Sequence, residues 1–197
     1  HETQWLLADA RPARFEDIAQ RLDFIAMRPA SGLGAEWEWV NEFGDAAYRV
    51  ENALEIEAPN GRDLSEQNAS APRLLRPVGG DFAADATCVR GRADRPAIGG
   101  ILLWADGDNH LRVEWGARGP HEVSLSGRVE GVTTLVGRGR LEADRLHLRL
   151  EWREGVARAL CSADGRAWKS AGETAFEPTA PVRVGLHAIG QIDRTIH

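Results

Sequence analysis

The chain has 197 residues, 43% of them hydrophobic and 27% charged, with a net charge of −6 and two cysteines. That length supports one large domain, or one domain with a short arm, and the composition is too apolar for a disordered chain. No apolar run approaches the roughly 20 residues of a membrane span, and an acidic balance argues against a dedicated nucleic-acid binder, whose affinity rests on cationic surface.

Lys169 is the only lysine among 24 basic residues, an arginine bias of the kind a GC-rich bacterial genome produces, and seven tryptophans stand against one tyrosine. The chain starts at His1 without a methionine and shows no signal peptide, so a processed or excised chain is expected and the compartment stays open. Cys88 and Cys161 fit neither a metal-ligand spacing nor a C-x-x-C pair. They read as small buried apolar residues, with a disulfide open to an exported chain.

Residues 1–35 read as an arm. Phe15, Ile18, Leu22 and Ile25 recur at spacings of three, four and three, which predicts an amphipathic helix over about 14–27. Pro12 is its start signal, and Arg28-Pro29 with Gly32 and Gly34 its stop. Such a short helix needs a surface to dock on, either the main domain or an upstream domain of a larger chain.

Over residues 36–197 the period falls to two. His110-Leu-Arg-Val-Glu-Trp115 and Arg145-Leu-His-Leu-Arg-Leu-Glu-Trp152 alternate strictly, which predicts strands with one buried and one wet face. Turn signals such as Asn60-Gly61, Glu154-Gly155 and Asp164-Gly165 separate about a dozen strands, and no βα alternation appears. The pattern predicts an all-β antiparallel sandwich.

Three stretches carry a resemblance: LEIEAPNGRDL over 54–64 followed by APRLLRPVGGDF over 71–82, GGILLWADGDNHLRVE over 99–114, and LHLRL, ALCSADGRAW and VRVGLHA over 146–150, 159–168 and 182–188. Together they resemble the DUF1349 family of concanavalin A-like (laminin G-like) jelly-roll domains. The resemblance implies two stacked antiparallel sheets, a fold shared with lectins and glucanases and used by accessory domains beside glycoside hydrolases. It predicts fold better than function. Domains of this kind continue past the strand at 182–189 into a closing strand. Here the sequence stops at Ile196-His197, so that strand is expected to be missing or supplied by another segment or chain.

Catalytic signatures are scarce. Glu55 and Glu57 share a strand face, as do Glu36 and Glu38, but neither pair extends to the E-x-D-x-E carboxylate pattern of glucanases. There is no G-x-S-x-G elbow, glycine-rich phosphate loop or H-E-x-x-H helix. An enzyme using Glu114 with His110 is the minor reading. Asp106, Asp108 and Asn109 resemble the opening of a calcium loop, which makes calcium a possible cofactor at that turn. Ser162-Ala-Asp-Gly-Arg-Ala-Trp168 resembles a shortened Asp-box hairpin, in which Ser and Asp bond turn amides.

The expected function is a non-catalytic, lectin-like module that binds a carbohydrate on a polar sheet face. The candidate ligand-binding residues are His110, Arg112 and Glu114, His147 and Arg149, and His187, with Trp37, Trp39 and Trp104 as aromatic platforms. If the strands that carry them are neighbours, they form one Arg/His/Glu surface suited to sugar hydroxyls, an anionic glycan or a partner protein. The alternative is a protein-interaction or sensory module of a larger multidomain chain.

Overall fold

The computed structural model describes residues 6–18, 20–23, 34–51, 53–89 and 98–190. Fifteen strands, numbered in chain order, are found among them, and no α-helix. One sheet has seven strands in the order β11 (Val132–Arg140), β10 (Glu122–Val129), β9 (His110–Trp115), β8 (Ile98–Trp104), β15 (Arg183–Ile189), β6 (Arg73–Pro77) and β3 (Glu38–Val40). The other has six: β1 (Ala8–Ala10), β14 (Trp168–Ala175), β13 (Val156–Ser162), β12 (Arg145–Arg153), β7 (Phe82–Val89) and β2 (Gln20–Asp23). A separate hairpin pairs β4 (Ala47–Val50) with β5 (Leu54–Glu57). This is the expected jelly-roll sandwich.

The alternation seen in the sequence sets its inner faces. Leu111, Val113 and Trp115 of β9 meet Leu146, Leu148 and Leu150 of β12 in one core, while the residues between them point outward. Hairpin chemistry follows the turn signals. Between β12 and β13, Glu154 and Gly155 take φ of 49° and 74°, the left-handed pair that a tight two-residue hairpin requires. Trp152 packs on Phe82 with ring centroids 5.9 Å apart and donates its indole N–H to the Phe176 carbonyl at 2.9 Å. Cys161 is buried and Cys88 half-buried, both as free thiols, and burial pushes both up to about 12.

A second, smaller core lies outside the sandwich. Leu64 and Ala71, from the segment between β5 and β6, cover Leu75, Leu102, Trp104 and Ile189 on the outer face of the seven-stranded sheet. Each fully buried leucine there contributes about 2 kcal/mol. The segment acts as a strap, pinned by Ser65–Asn68 bridging and by the Ala71 N–H donating to the Asp63 carbonyl at 2.9 Å.

The predicted helix over 14–27 is corrected. Its described residues form a 3-10 turn at Phe15–Asp17 and then β2, which runs parallel to β7 with Leu22 opposite Ala84. The exposed edge of β7 offers unpaired backbone groups that a local helix would leave unsatisfied, and that tertiary demand overrides a narrow helical stripe. Leu22 reaches the core from a strand instead. Residues 24–27, Trp5, and residues 191–197, on which the closing-strand expectation falls, lie outside the described residues.

Candidate functional site

The condition for a single polar surface, that the strands carrying it be neighbours, is not met: the candidates fall on two surfaces on opposite sides of the sandwich. Trp104, His110, Arg112, Glu114 and His187 share the outer face of the seven-stranded sheet, whereas His147 and Arg149 stand on β12, in the six-stranded sheet. Strand alternation tells inward from outward but not which sheet a strand joins.

On the seven-stranded sheet the supposedly wet row is covered by the strap. Glu114 accepts a hydrogen bond from His187 Nε2 at 2.9 Å, and Arg112 Nη1 sits 3.5 Å from Glu114 and 3.4 Å from Asp63 of the strap. His110, Glu114 and His187 are all buried. Burial alone would raise Glu114, but Arg112, His187 and His110 outweigh it and hold the carboxyl below its usual range. Burial, aided by the Arg112 charge, pushes His110 down to about 4, so its ring is neutral at pH 7. That ring stacks on Trp104 with centroids 5.1 Å apart. A buried carboxylate flanked by an arginine and a histidine could in principle serve proton transfer, but the strap closes this group off from solvent.

On the six-stranded sheet, Asp85 accepts from Arg149 Nε at 2.5 Å, Arg149 Nη2 at 3.0 Å and Arg21 Nε of β2 at 3.0 Å. Glu151 accepts from the Ala13 backbone N–H at 2.8 Å and pairs with Arg158 at 3.6 Å. The N-terminal segment thus lies over this face. His147 contacts Thr87 Oγ1 at 3.1 Å, and Arg149 stands 5.1 Å over Trp168.

The Asp106-Gly-Asp-Asn109 turn is closed by its own side chains. Asp106 Oδ1 accepts from the Asp108 and Asn109 backbone N–H groups at 2.9 Å each, and Asp108 pairs with Arg128 at 3.1 Å. No group of three or more His, Cys, Asp or Glu side chains converges as metal ligands among the described residues. The Asp-box reading fits the geometry: Asp164 accepts from the Arg166 and Ala167 amides at 2.8 Å each, and Ser162 Oγ accepts from Gly165 N–H at 2.9 Å.

An open cleft of about 480 Å³ remains where the strap ends, lined by Glu38, Trp39, Asn41, Glu42, Arg73 and Trp104. Of the three aromatic candidates, Trp104 is buried at its floor, and Trp37 packs against the core with Arg76 5.8 Å over its ring. Trp39 is half-buried and lies 4.8 Å from the Tyr48 ring, itself exposed. Asn41 is committed to its own turn, its amide donating to the Ala46 carbonyl at 2.8 Å. Arg73, which the sequence reading did not single out, is buried with its guanidinium 4.2 Å over Trp104 and Nη1 donating to the Ala69 and Ala71 carbonyls at 3.0 Å each. The one available signal was an arginine inside the otherwise apolar Ala71-Pro-Arg-Leu-Leu75.

No family model matches the chain, and no curated protein matches it. Solved structures do. A GH43 protein, BlXynB from Bacillus licheniformis, is similar at a TM-score of 0.70 and 16% identity over 84% of this chain and 35% of its own. A functionally unknown protein from Saccharomyces cerevisiae is similar at 0.65 and 19% identity over 78% of this chain and 86% of its own. The carbohydrate-binding module CBM66 from Bacillus subtilis is similar at 0.52 and 13% identity over 80% and 92%. At these identities the likeness establishes the concanavalin A-like jelly-roll fold, and this chain spans about a third of the GH43 protein's length.

Proposed function

We propose that this chain is a non-catalytic, carbohydrate-binding jelly-roll module of the DUF1349 kind, and that its ligand occupies the cleft beside β3. The observation that carries the reading is the cleft itself. A half-open Trp39 beside Tyr48 offers a face for a sugar ring, and Glu42 and Arg73 flank it as groups able to hydrogen-bond hydroxyls. The fold shared with a carbohydrate-binding module supports this, as does a chain length matching one part of a GH43 protein.

The test is a glycan array followed by calorimetry on the wild type and Trp39→Ala. We expect the variant to lose about tenfold or more in affinity while keeping its melting temperature within a few degrees. Binding is expected to survive EDTA, since Asp106 and Asp108 are already held by their turn and Arg128. A wild type that binds no neutral or acidic glycan, with or without calcium, defeats the reading. The alternative module, one that docks a protein within a larger chain, would show as partner binding that Trp39→Ala leaves intact.

A further inference from the structure

Two arginines among the described residues are buried, and they differ in one respect. Arg128 lies against two carboxylates, Asp108 at 3.1 Å and Glu66 at 3.6 Å. The largely buried Arg112 and Arg149 have Asp63 with Glu114, and Asp85. Arg73 forms no ion pair with any Asp or Glu of the described residues. Its Nη1 is held by two carbonyls, Nε is buried without a partner, and Nη2 has none among the described residues. A desolvated cation without a counter-charge is costly, and the cost is relieved when an anion reaches it.

We propose that Arg73 forms a carboxylate subsite at the floor of the cleft, so that the saccharide this module prefers carries a uronic acid. The inference rests on the carbohydrate reading above and adds the ligand's charge to it. Geometry favours the exchange. Two carbonyls and the Trp104 ring fix the guanidinium plane, so little side-chain freedom remains to be lost when a carboxylate docks on Nη2, the donor that is neither committed nor buried. The neighbouring Arg183 does not compete for the anion, because Glu38 holds it at 2.6 Å. Glu42 is the one uncommitted carboxylate of the cleft. It is exposed, and water screens its repulsion of an incoming anion more than it screens the attraction of a buried guanidinium.

The experiment measures calorimetric affinities for trigalacturonate and triglucuronate, each against the same trimer with its carboxyls reduced to alcohols. At least one acidic trimer should bind about tenfold tighter than its reduced twin, and added salt should narrow the difference. Arg73→Gln should abolish the preference, weakening the acidic trimer about tenfold and the reduced trimer much less, so that the two bind alike. Arg73→Lys, which keeps the charge and loses the fork, should retain part of the preference and covers the case in which the glutamine variant fails to fold. Glu42→Gln should raise affinity for the acidic trimer two- to threefold, roughly the effect of removing one screened like charge. Equal or tighter binding of the reduced trimers, or a preference unchanged by Arg73→Gln, overturns the carboxylate subsite and leaves the carbohydrate reading standing. Loss of all glycan binding on the array overturns both.

Discussion

The two outer faces of the sandwich solve one problem in different ways. Each carries buried charges on alternating strand positions, and each is covered by a segment from outside its central strands: the strap over the seven-stranded sheet, the N-terminal segment with β1 and β2 over the six-stranded one. On the six-stranded side the cover completes the charges. Arg21 and the Ala13 amide meet Asp85 and Glu151, and β1 and β2 pair with the outer edges of β14 and β7. On the seven-stranded side the cover stops short. Asp63 neutralises Arg112, but Arg73 is left at the floor of an open cleft with carbonyls and an indole in direct contact, and with Glu42, Glu38 and Arg183 only at longer range. A closed ionic cluster is scaffold. A buried cation beside an opening is a place where something else can bind.

The comparison breaks first, if it breaks, at Asp85. Asp85→Asn leaves Arg149 and Arg21 without their carboxylate and should cost about 3 kcal/mol or more in urea unfolding. A loss below about 1 kcal/mol would mean that the six-stranded face is not closed by its charges.

The seven-stranded face predicts an acid sensitivity nearly as large. His110 is neutral when folded and takes up a proton only near pH 4, whereas the unfolded chain takes it up near its ordinary value of about 6.5. The stabilisation is therefore complete above about pH 6.5 and falls as pH drops toward 4, by up to about 3 kcal/mol. Glu114, also held below its usual value, adds a loss at lower pH still. Melting curves from pH 7 to pH 4 should show the decline. His110→Phe, which keeps a ring against Trp104, should flatten it. The smallest effect belongs to the turn between β13 and β14, where Ser162→Ala removes the acceptor for the Gly165 amide and should cost about 1 kcal/mol without altering glycan binding.

What the sequence discloses divides along the same line. The alternation in His110–Trp115 and Arg145–Arg153 identified the strands and their inward faces, because side-chain period is a local property of extended chain. It said nothing about partners, so His147 and Arg149 were grouped with residues on the far side of the molecule. Nor does a period of two distinguish a face open to water from one covered by a strap. The signal for cover lay elsewhere, in the unbroken apolar run Ile101-Leu-Leu-Trp104 of β8, which only makes sense for a strand buried on both faces. The N-terminal helix does not form because three-four-three spacing over the eleven residues 15–25 is also compatible with a strand that sinks one leucine into the core. Arg73 stayed invisible because an arginine's partners, or their absence, exist only in three dimensions.

The pairing of β1 with β14, Ala8 opposite Ser170, sets an order of events. Contacts between residues so far apart in the chain form slowly, since most of the loop between them must be ordered before the pairing returns any free energy. During synthesis the N-terminal segment leaves the ribosome long before the strand it will lie against, and β2 waits similarly for β7. Until the segment docks, the outer edges of β14 and β7 are bare, Asp85 has Arg149 but not Arg21, and Glu151 has Arg158 but not the Ala13 amide. That interval, rather than the finished fold, is when neighbouring copies compete for the same strand positions.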